Sequence, residues 1–314
     1  MREVLASWNL SDETVTLIKE TQGGNSLWDI GGAYILKHNP DTQRTHANIA
    51  LANLLLAQGV STTAYVKTID DAWTTPDGHY SLYHKLTGAH MDFTLDKQAT
   101  YNLGKELAKL HEALLGIAPQ LVDCHDNDYL AEWEGYIKPG LVGVSLEIID
   151  YVERHLPPLY QSLPRQPIHR DVHSQNVLFH ENKLTGWLDF ELSRRDVRVF
   201  DIAYLMTGLI LDRINDPAAL DVWNQVYTQL IDGYASVSPL SASELTLLPV
   251  LMVSIELLFV TYWESQGNVE QKDKALALAV WLHQRFDEQL EYTTGALGID
   301  ETKEYLRGLK NRPT

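Results

Sequence analysis

A chain of 314 residues is long enough for two folded units, and a hydrophobic content of 45% supplies them with core. The formal net charge of −17 excludes a nucleic-acid backbone as the natural partner, because like charges would repel. A single cysteine, Cys124, excludes an intramolecular disulfide and gives no sign of an oxidising compartment.

The opening "MREVLASWNLSDET" is charged and lacks the apolar centre of a signal peptide, so the chain is expected in the cytoplasm. Residues 14–21, "TVTLIKET", alternate with Val15 and Leu17 on one face and predict a strand. "QGGNSLWDIGG" follows as a turn-rich interval. "AYILKHN" then predicts a second strand, on which Ile35 and Lys37 share a face. "NPDTQRTHANIALANLLLAQG" predicts a helix that Pro40 and Asp41 start and Gly59 closes, with Ala47, Leu51, Leu54 and Leu55 as its apolar stripe. "TAYVKTID" and "HYSLYHKL" predict a hairpin that turns through Pro76, Asp77 and Gly78.

After "TGAHMD" the character changes. From Thr94 onward the chain is mainly helical, with Leu103, Leu107, Leu110 and Leu114 spaced along one helix face. The expected lobes are 1–86 and 87–314, with a hinge at about 84–88. Within the second, "NVLFH" (176–180) and "TGWLDF" (185–190) predict a hairpin around a four-residue loop, 181–184. In that register Asn176 opposes Asp189, with Cβ atoms about 4.5–5.5 Å apart. "LTLLPVLMVSIELLFVTYW" approaches the length of a membrane span. Pro249, Glu256 and a capping box from Ser241 to Glu244 predict a buried helix instead, so no membrane partner is expected.

The chemistry concentrates in "PIHRDVHSQNVLF", residues 167–179. Asn176 and Asp189 offer two hard oxygens of the kind magnesium takes, leaving coordination for water and phosphate. Asp171, five residues before Asn176, is near enough to border the same pocket and to accept a proton from an attacking hydroxyl. His169 is expected to pack inward and brace the loop, and His111 to pack in a helix core. Taken as metal ligands, His169, Asp171, His173 and Asp189 would suit a transition-metal hydrolase, which leaves Lys37 and Asn176 without a role. Trp263, Glu264 and Glu256 suggest a cation pocket on the long apolar helix, although aromatic residues there are more often core.

His169-Arg170-Asp171, four residues and Asn176 resemble the H-x-D-x-x-x-x-N catalytic loop of protein-kinase-like folds, and "LDFE" is similar to their metal-binding D-F-G. The longer run "IHRDVHSQNVLF…GWLDFELSRRDVRVFDIAYL" resembles the superfamily of aminoglycoside phosphotransferases, choline kinases and homoserine kinases. "LTG" (86–88), "LGKELAKLH" (103–111) and "GYASVSPLSASELTLLP" (233–249) are similar to further segments of that superfamily, so the likeness covers nearly the whole chain.

The resemblance implies an α+β, bilobal protein-kinase-like fold: a small antiparallel β-sheet lobe with one helix, then a larger, mainly helical lobe. It implies Asp171 as catalytic base, Asn176 and Asp189 as Mg²⁺ ligands, and Lys37 as holder of the α- and β-phosphates of ATP, with GTP as the other candidate. Ile35 would cover the adenine, backbone from His84 to Leu86 would bond its edge, and Gly23, Gly24, Asn25 and Ser26 would lie along the phosphates. Asp201 would fasten the catalytic loop with His169 in support, and His173 would donate to the transferred phosphate.

Two departures stand out. Residues 42–58 contain no glutamate for the usual lysine–glutamate pair, so Asn48, near the expected place, would orient Lys37 by a weaker hydrogen bond. The glycine-rich interval is also not G-x-G-x-x-G. The implied activity is transfer of the ATP γ-phosphate to a hydroxyl of a small molecule, first an aminoglycoside-type antibiotic and next a homoserine- or choline-like metabolite. The missing glutamate motivates a further alternative, a nucleotide-binding module without catalysis. Acidity concentrated after residue 86 tilts the acceptor toward a cation.

Overall fold

The computed structural model describes residues 1–21, 23–90, 97–121 and 128–285. Cys124 and the predicted onset of helical structure at Thr94 lie outside the described residues. The chain divides into two compact units. One is Met1–Met91 with Pro119–Asp123 and Gln175–Leu192; the other is Asp92–Ala118, Cys124–Ser174 and Ser193–Thr314. The hairpin that follows the polar cluster thus groups with the first unit.

The first unit opens with the short helix α1 (Arg2–Ala6) and strands β1 (Val15–Glu20), β2 (Ser26–Ile30) and β3 (Tyr34–His38). Helix α2 (Thr42–Ala57) and strands β4 (Tyr65–Val66), β5 (Tyr80–His84) and β6 (Ala89–His90) follow. The main sheet is antiparallel in the order β1-β2-β3-β5-β4. β2 departs from the sequence expectation, which made it part of one long turn. Its five residues lie between two separate glycine turns, with Gly24 at φ 81° on one side and Gly31 and Gly32 at 60° and 75° on the other. These left-handed angles cost glycine little, so each turn closes within a few residues and leaves room for a strand. The β1 strand is as expected, but Val15 and Leu17 are exposed on the sheet edge.

Side chains alternate across the sheet. Ile30, Leu36 and Leu82 form one core with Leu5 and Trp8. On the other face Tyr65 and Tyr83 pack with Ile49 and Ala52 of α2. Asp41 caps α2 by accepting the Arg44 N–H at 3.0 Å, and Gly59 adopts φ 79° just past its end. The buried stripe is rotated from the predicted one: Ala47 is exposed, while Thr45, Asn48, Ile49, Leu51, Ala52 and Leu55 are buried. The apolar pattern misplaces the face because two of its inward residues are polar and find partners inside.

The second unit begins with α3 (Lys97–Ile117), α4 (Tyr129–Glu132), α5 (Leu146–Gln161) and β7 (Gln166–Ile168). The chain then forms β8 (Val177–His180) and β9 (Lys183–Trp187) of the first unit, where β6 adds to them as a third strand. The connection from β8 to β9 is two residues, Glu181 and Asn182, both left-handed at φ 49° and 59°. That turn matches the strand twist, so Lys183 pairs with His180 instead of looping out as predicted. A bulge near Phe179 restores one position, and Val177 faces Trp187. Asn176 then lies opposite Leu188, whose N–H it accepts at 2.9 Å, one residue from the predicted partner Asp189. Both residues still stand at the open end of the hairpin.

The second unit resumes with β10 (Arg194–Asp196), which pairs with β7. Four helices complete it: α6 (Val199–Ile210), α7 (Pro217–Ala235), α8 (Ala242–Ser265) and α9 (Val269–Gln284). Leu103, Leu107, Leu110 and Leu114 are all buried on α3, as their spacing predicts. α3 approaches α7 so closely that a Cβ at Gly104 would lie 2.1 Å from the Leu230 carbonyl oxygen, and one at Gly233 would lie 2.0 Å from that of Tyr101. α8 starts with the predicted capping box. It is long and apolar enough to cross a membrane, yet 83% of its most apolar window is buried inside the protein.

Candidate active site

In the first unit, β3 carries Ile35 and Lys37 toward the face that α2 covers. Lys37 Nζ lies 3.2 Å from Asp189 Oδ1 and 2.6 Å from Glu191 Oε1. The lysine and Glu191 side chains are each 11% exposed, whereas that of Asp189 is 40% exposed. Burial alone would pull the lysine pKa down; the two carboxylates more than reverse this and raise it, so Lys37 is a fixed cation. Asp189 itself holds φ 59°, an uncommon conformation for a residue with a Cβ. The next peptide is fastened: the Phe190 N–H donates to Asn48 Oδ1 at 3.2 Å.

Asn48 therefore does not do what its position suggests. Its amide nitrogen donates to the Tyr65 hydroxyl at 3.0 Å, and its oxygen holds Phe190. The nearer of the two carboxylates beside Lys37 is Glu191, which sequence reasoning passed over although it stands in "LDFE". The missing helix glutamate was a signal that some other segment had to supply the charge.

The remaining nucleotide-side candidates also lie in this unit. Ile35 is buried at 8% exposure. In the β1–β2 turn, the Gly24 N–H donates to the Thr21 carbonyl and the Asn25 N–H to Thr21 Oγ1. These two amides close the turn and do not point out as phosphate donors, while Gly24 O receives a contact from His38 Nδ1 at 2.8 Å. Gly23 is exposed, Ser26 is buried at the start of β2, and Asn25 Oδ1 is buried without a partner. At the end of β5 the His84 and Lys85 N–H groups donate to Ala64 and Ala33. That leaves the Leu86 amide as the donor available to a ligand in this stretch.

In the second unit, the loop after β7 turns on Arg170, at φ 65°. The buried Asp201 carboxylate on α6 accepts both the His169 N–H (2.9 Å) and the Arg170 N–H (2.7 Å), which holds this costly conformation. Its Oδ2 also lies 3.0 Å from His111 Nε2, and His111 Nδ1 meets the Tyr234 hydroxyl at 2.8 Å. The Arg170 side chain reaches Glu132 at 2.7 Å and lies over the Phe200 ring. His169 is fully buried, with Nδ1 accepting the Asp171 N–H at 3.3 Å.

These bonds leave the Asp171 carboxylate between two donors. The Tyr204 hydroxyl donates to Oδ1 at 2.9 Å, and His173 Nε2 stands 3.5 Å from Oδ2. Burial would raise the Asp171 pKa, but His173, His169 and Tyr204 together outweigh it and hold the acid below its ordinary value. Tyr204 is the second residue missed from sequence. It follows Asp201 by three positions, so one helix face carries both.

Two minor alternatives drawn from the sequence do not assemble, and the preferred readings, an inward-packed His169 and a core α8, hold. His169 and its neighbours do not form a metal cluster: among the described residues, no group of three or more His, Cys, Asp or Glu side chains is arranged to hold an ion. The residues of the alternative cation pocket on α8 separate, since Glu264 pairs with Lys272 at 2.5 Å on the surface while Glu256 is 1% exposed inside.

Residues 18–240 match the model of the phosphotransferase enzyme family. A homoserine kinase of Rhizobium johnstonii is 28% identical over 156 residues, 48% of this chain and 46% of that protein. The chain thus spans less than half of this curated relative in the match. Among solved structures, a choline/ethanolamine kinase family protein from Mesorhizobium loti aligns with a TM-score of 0.69 at 16% identity, covering 93% of this chain and 97% of the other. A microcompartment-associated aminopropanol kinase gives 0.68 at 17%, covering 92% and 97%. The fold is α+β and protein-kinase-like.

Proposed function

We infer the activity from one premise: this chain belongs to the phosphotransferase enzyme family. The best-supported function is transfer of the γ-phosphate of ATP to a hydroxyl of a small molecule that also carries an amine. The observation that carries it is the meeting of Lys37 with Asp189, 152 residues later, at 3.2 Å inside the first unit. Packing alone gives a strand lysine and a left-handed aspartate no reason to meet, whereas a nucleotide's phosphates and their cation need both.

Asn176 and Asp189 fit a hard cation: an amide oxygen and a carboxylate at one end of a hairpin, with Asp189 engaging Lys37 through Oδ1. When bound there, Mg²⁺ would neutralise charge on the phosphates. Lys37 would hold the phosphate tail, Ile35 would lie under the adenine, and the Leu86 N–H would bond its edge. Asp171 acts as the base. Tyr204 donates to Oδ1 and orients the carboxylate that would receive the acceptor hydroxyl's proton. As the acceptor oxygen attacks phosphorus, its proton passes to Asp171, the bond to the bridging oxygen breaks, and ADP leaves with that electron pair. His173, beside Oδ2, would donate to the transferred group.

The acceptor class rests on chemistry shared by the relatives' names. Homoserine, aminopropanol and ethanolamine each join an amine to a hydroxyl, and choline joins a quaternary ammonium to one. The net charge of −17 favours the net-cationic members of this set, aminopropanol, ethanolamine and choline, over zwitterionic homoserine by long-range attraction. The test is ADP release from ATP and from GTP over amino alcohols, aminoglycosides and uncharged polyols. An amine-bearing class is expected to turn over. D171N should lose roughly 10²–10⁴-fold in turnover while binding nucleotide as the parent does. A flat screen with nucleotide binding intact would favour the non-catalytic module, and full activity in D171N would remove the assigned base.

A further inference from the structure

Lys37 needs a counter-ion that survives when its other partner is taken by a metal. In α2 no side chain is acidic: the helix reads "TQRTHANIALANLLLA". Of the two carboxylates that face Lys37, Asp189 is the more exposed and the more distant, at 3.2 Å. It is also the one proposed to bind the cation. Glu191 is the nearer, at 2.6 Å, and the more buried. It is held in turn, because Asn39 Nδ2 donates to Glu191 Oε1 at 2.9 Å. Phe190, between the two acids, has its N–H fixed by Asn48 of α2 and its side chain buried.

We propose that Glu191 is the positioning residue for Lys37: it takes the part a helix carboxylate would play, so one three-residue segment supplies both the metal's aspartate and the lysine's partner. This rests on the phosphotransferase reading above. α2 contributes indirectly, through Asn48, by setting the backbone from which both acids project. The physical consequence is a division of labour. With Glu191 present, Asp189 can turn to a cation while Lys37 stays neutralised and aimed at the phosphates. Without Glu191, Asp189 is the one carboxylate left to Lys37 among the described residues, and lysine and cation compete for it.

The experiment titrates a non-hydrolysable ATP analogue against the parent and E191Q at a series of Mg²⁺ concentrations, reading binding and not turnover. E191Q is expected to need more Mg²⁺ for half-saturation and to bind the analogue roughly 10- to 100-fold more weakly, the usual cost of removing a partner that orients a ligating group. E191D, which keeps the charge, should recover part of the loss. Binding and Mg²⁺ dependence equal to the parent's would overturn the assignment. A second measurement uses ligand-free protein: melting temperatures of E191Q, K37M and the double variant. The paired charges predict that E191Q costs much less, or even stabilises, once Lys37 is gone. Additive shifts would overturn the proposal, including where E191Q alone is too unstable to titrate. If the parent binds no Mg²⁺–nucleotide, the phosphotransferase reading falls, while the melting cycle still decides whether Glu191 is the partner of Lys37.

Discussion

Asp171, the proposed base, meets the Tyr204 hydroxyl and the His173 imidazole at unequal distances. Tyr204 makes a well-formed bond at 2.9 Å to Oδ1, whereas His173 is 3.5 Å from Oδ2. Y204F removes the oriented bond without removing the ring, whose face lies beside those of Phe200 and Phe259. The expected result is a fall in kcat of about tenfold with nucleotide KM unchanged, since misorientation costs the transition state and not ground-state binding. The acidic limb of kcat/KM should also move. Tyr204 stabilises the ionised acid, so its loss raises the Asp171 pKa, and activity fails at a higher pH than in the parent. An unmoved limb would assign Tyr204 a packing role only.

Helix contacts make different demands. α3 and α7 touch backbone to backbone at Gly104 and Gly233, where any side chain meets a carbonyl oxygen instead of a flexible neighbour. G104A should therefore destabilise by about 1–3 kcal/mol, read as a lower denaturant midpoint, although alanine is the better helix former in isolation. α8 carries the opposite kind of feature, a carboxyl group in an apolar core. Burial pushes the Glu256 pKa up to about 8 from an ordinary 4.5, with a hydrogen bond to Thr207 pulling modestly back. One oxygen of that group has no partner. The folded state thus holds the proton more tightly than the unfolded chain. Stability from this group is full below pH 4.5 and declines as pH rises to about 8, by roughly 1.4 kcal/mol per unit at most. E256Q should melt above the parent at pH 8, with the advantage shrinking toward pH 5. A pH-independent difference would show that Glu256 is ionised throughout.

At the scale of the molecule, charge is the dominant fact. An excess of 17 negative charges attracts cations over distances that salt shortens to about 8 Å at physiological ionic strength. The KM of a net-cationic acceptor should therefore rise as salt increases from about 20 to about 300 mM, while that of an uncharged or zwitterionic acceptor stays level. Equal salt responses would mean that the acidity serves solubility and not capture of the acceptor.

The polar cluster around Asp171 was legible from sequence because its spacing is local: four residues separate Asp171 from Asn176, and Asp201 follows on a helix whose pattern is plain. Most strands, the capping box on α8 and the leucine face of α3 were legible for the same reason, since each is set by periodicity or by groups a turn apart. The hairpin register, the rotated face of α2 and the strand between two glycine turns were not. A two-residue turn and a four-residue loop fit the same letters, and only cross-strand packing chooses between them. Least visible was the partner of Lys37. Which carboxylate lies within 3 Å of it depends on a segment more than 150 residues away and on Asn48 fixing its backbone, and electrostatic pairing follows proximity in space rather than order along the chain.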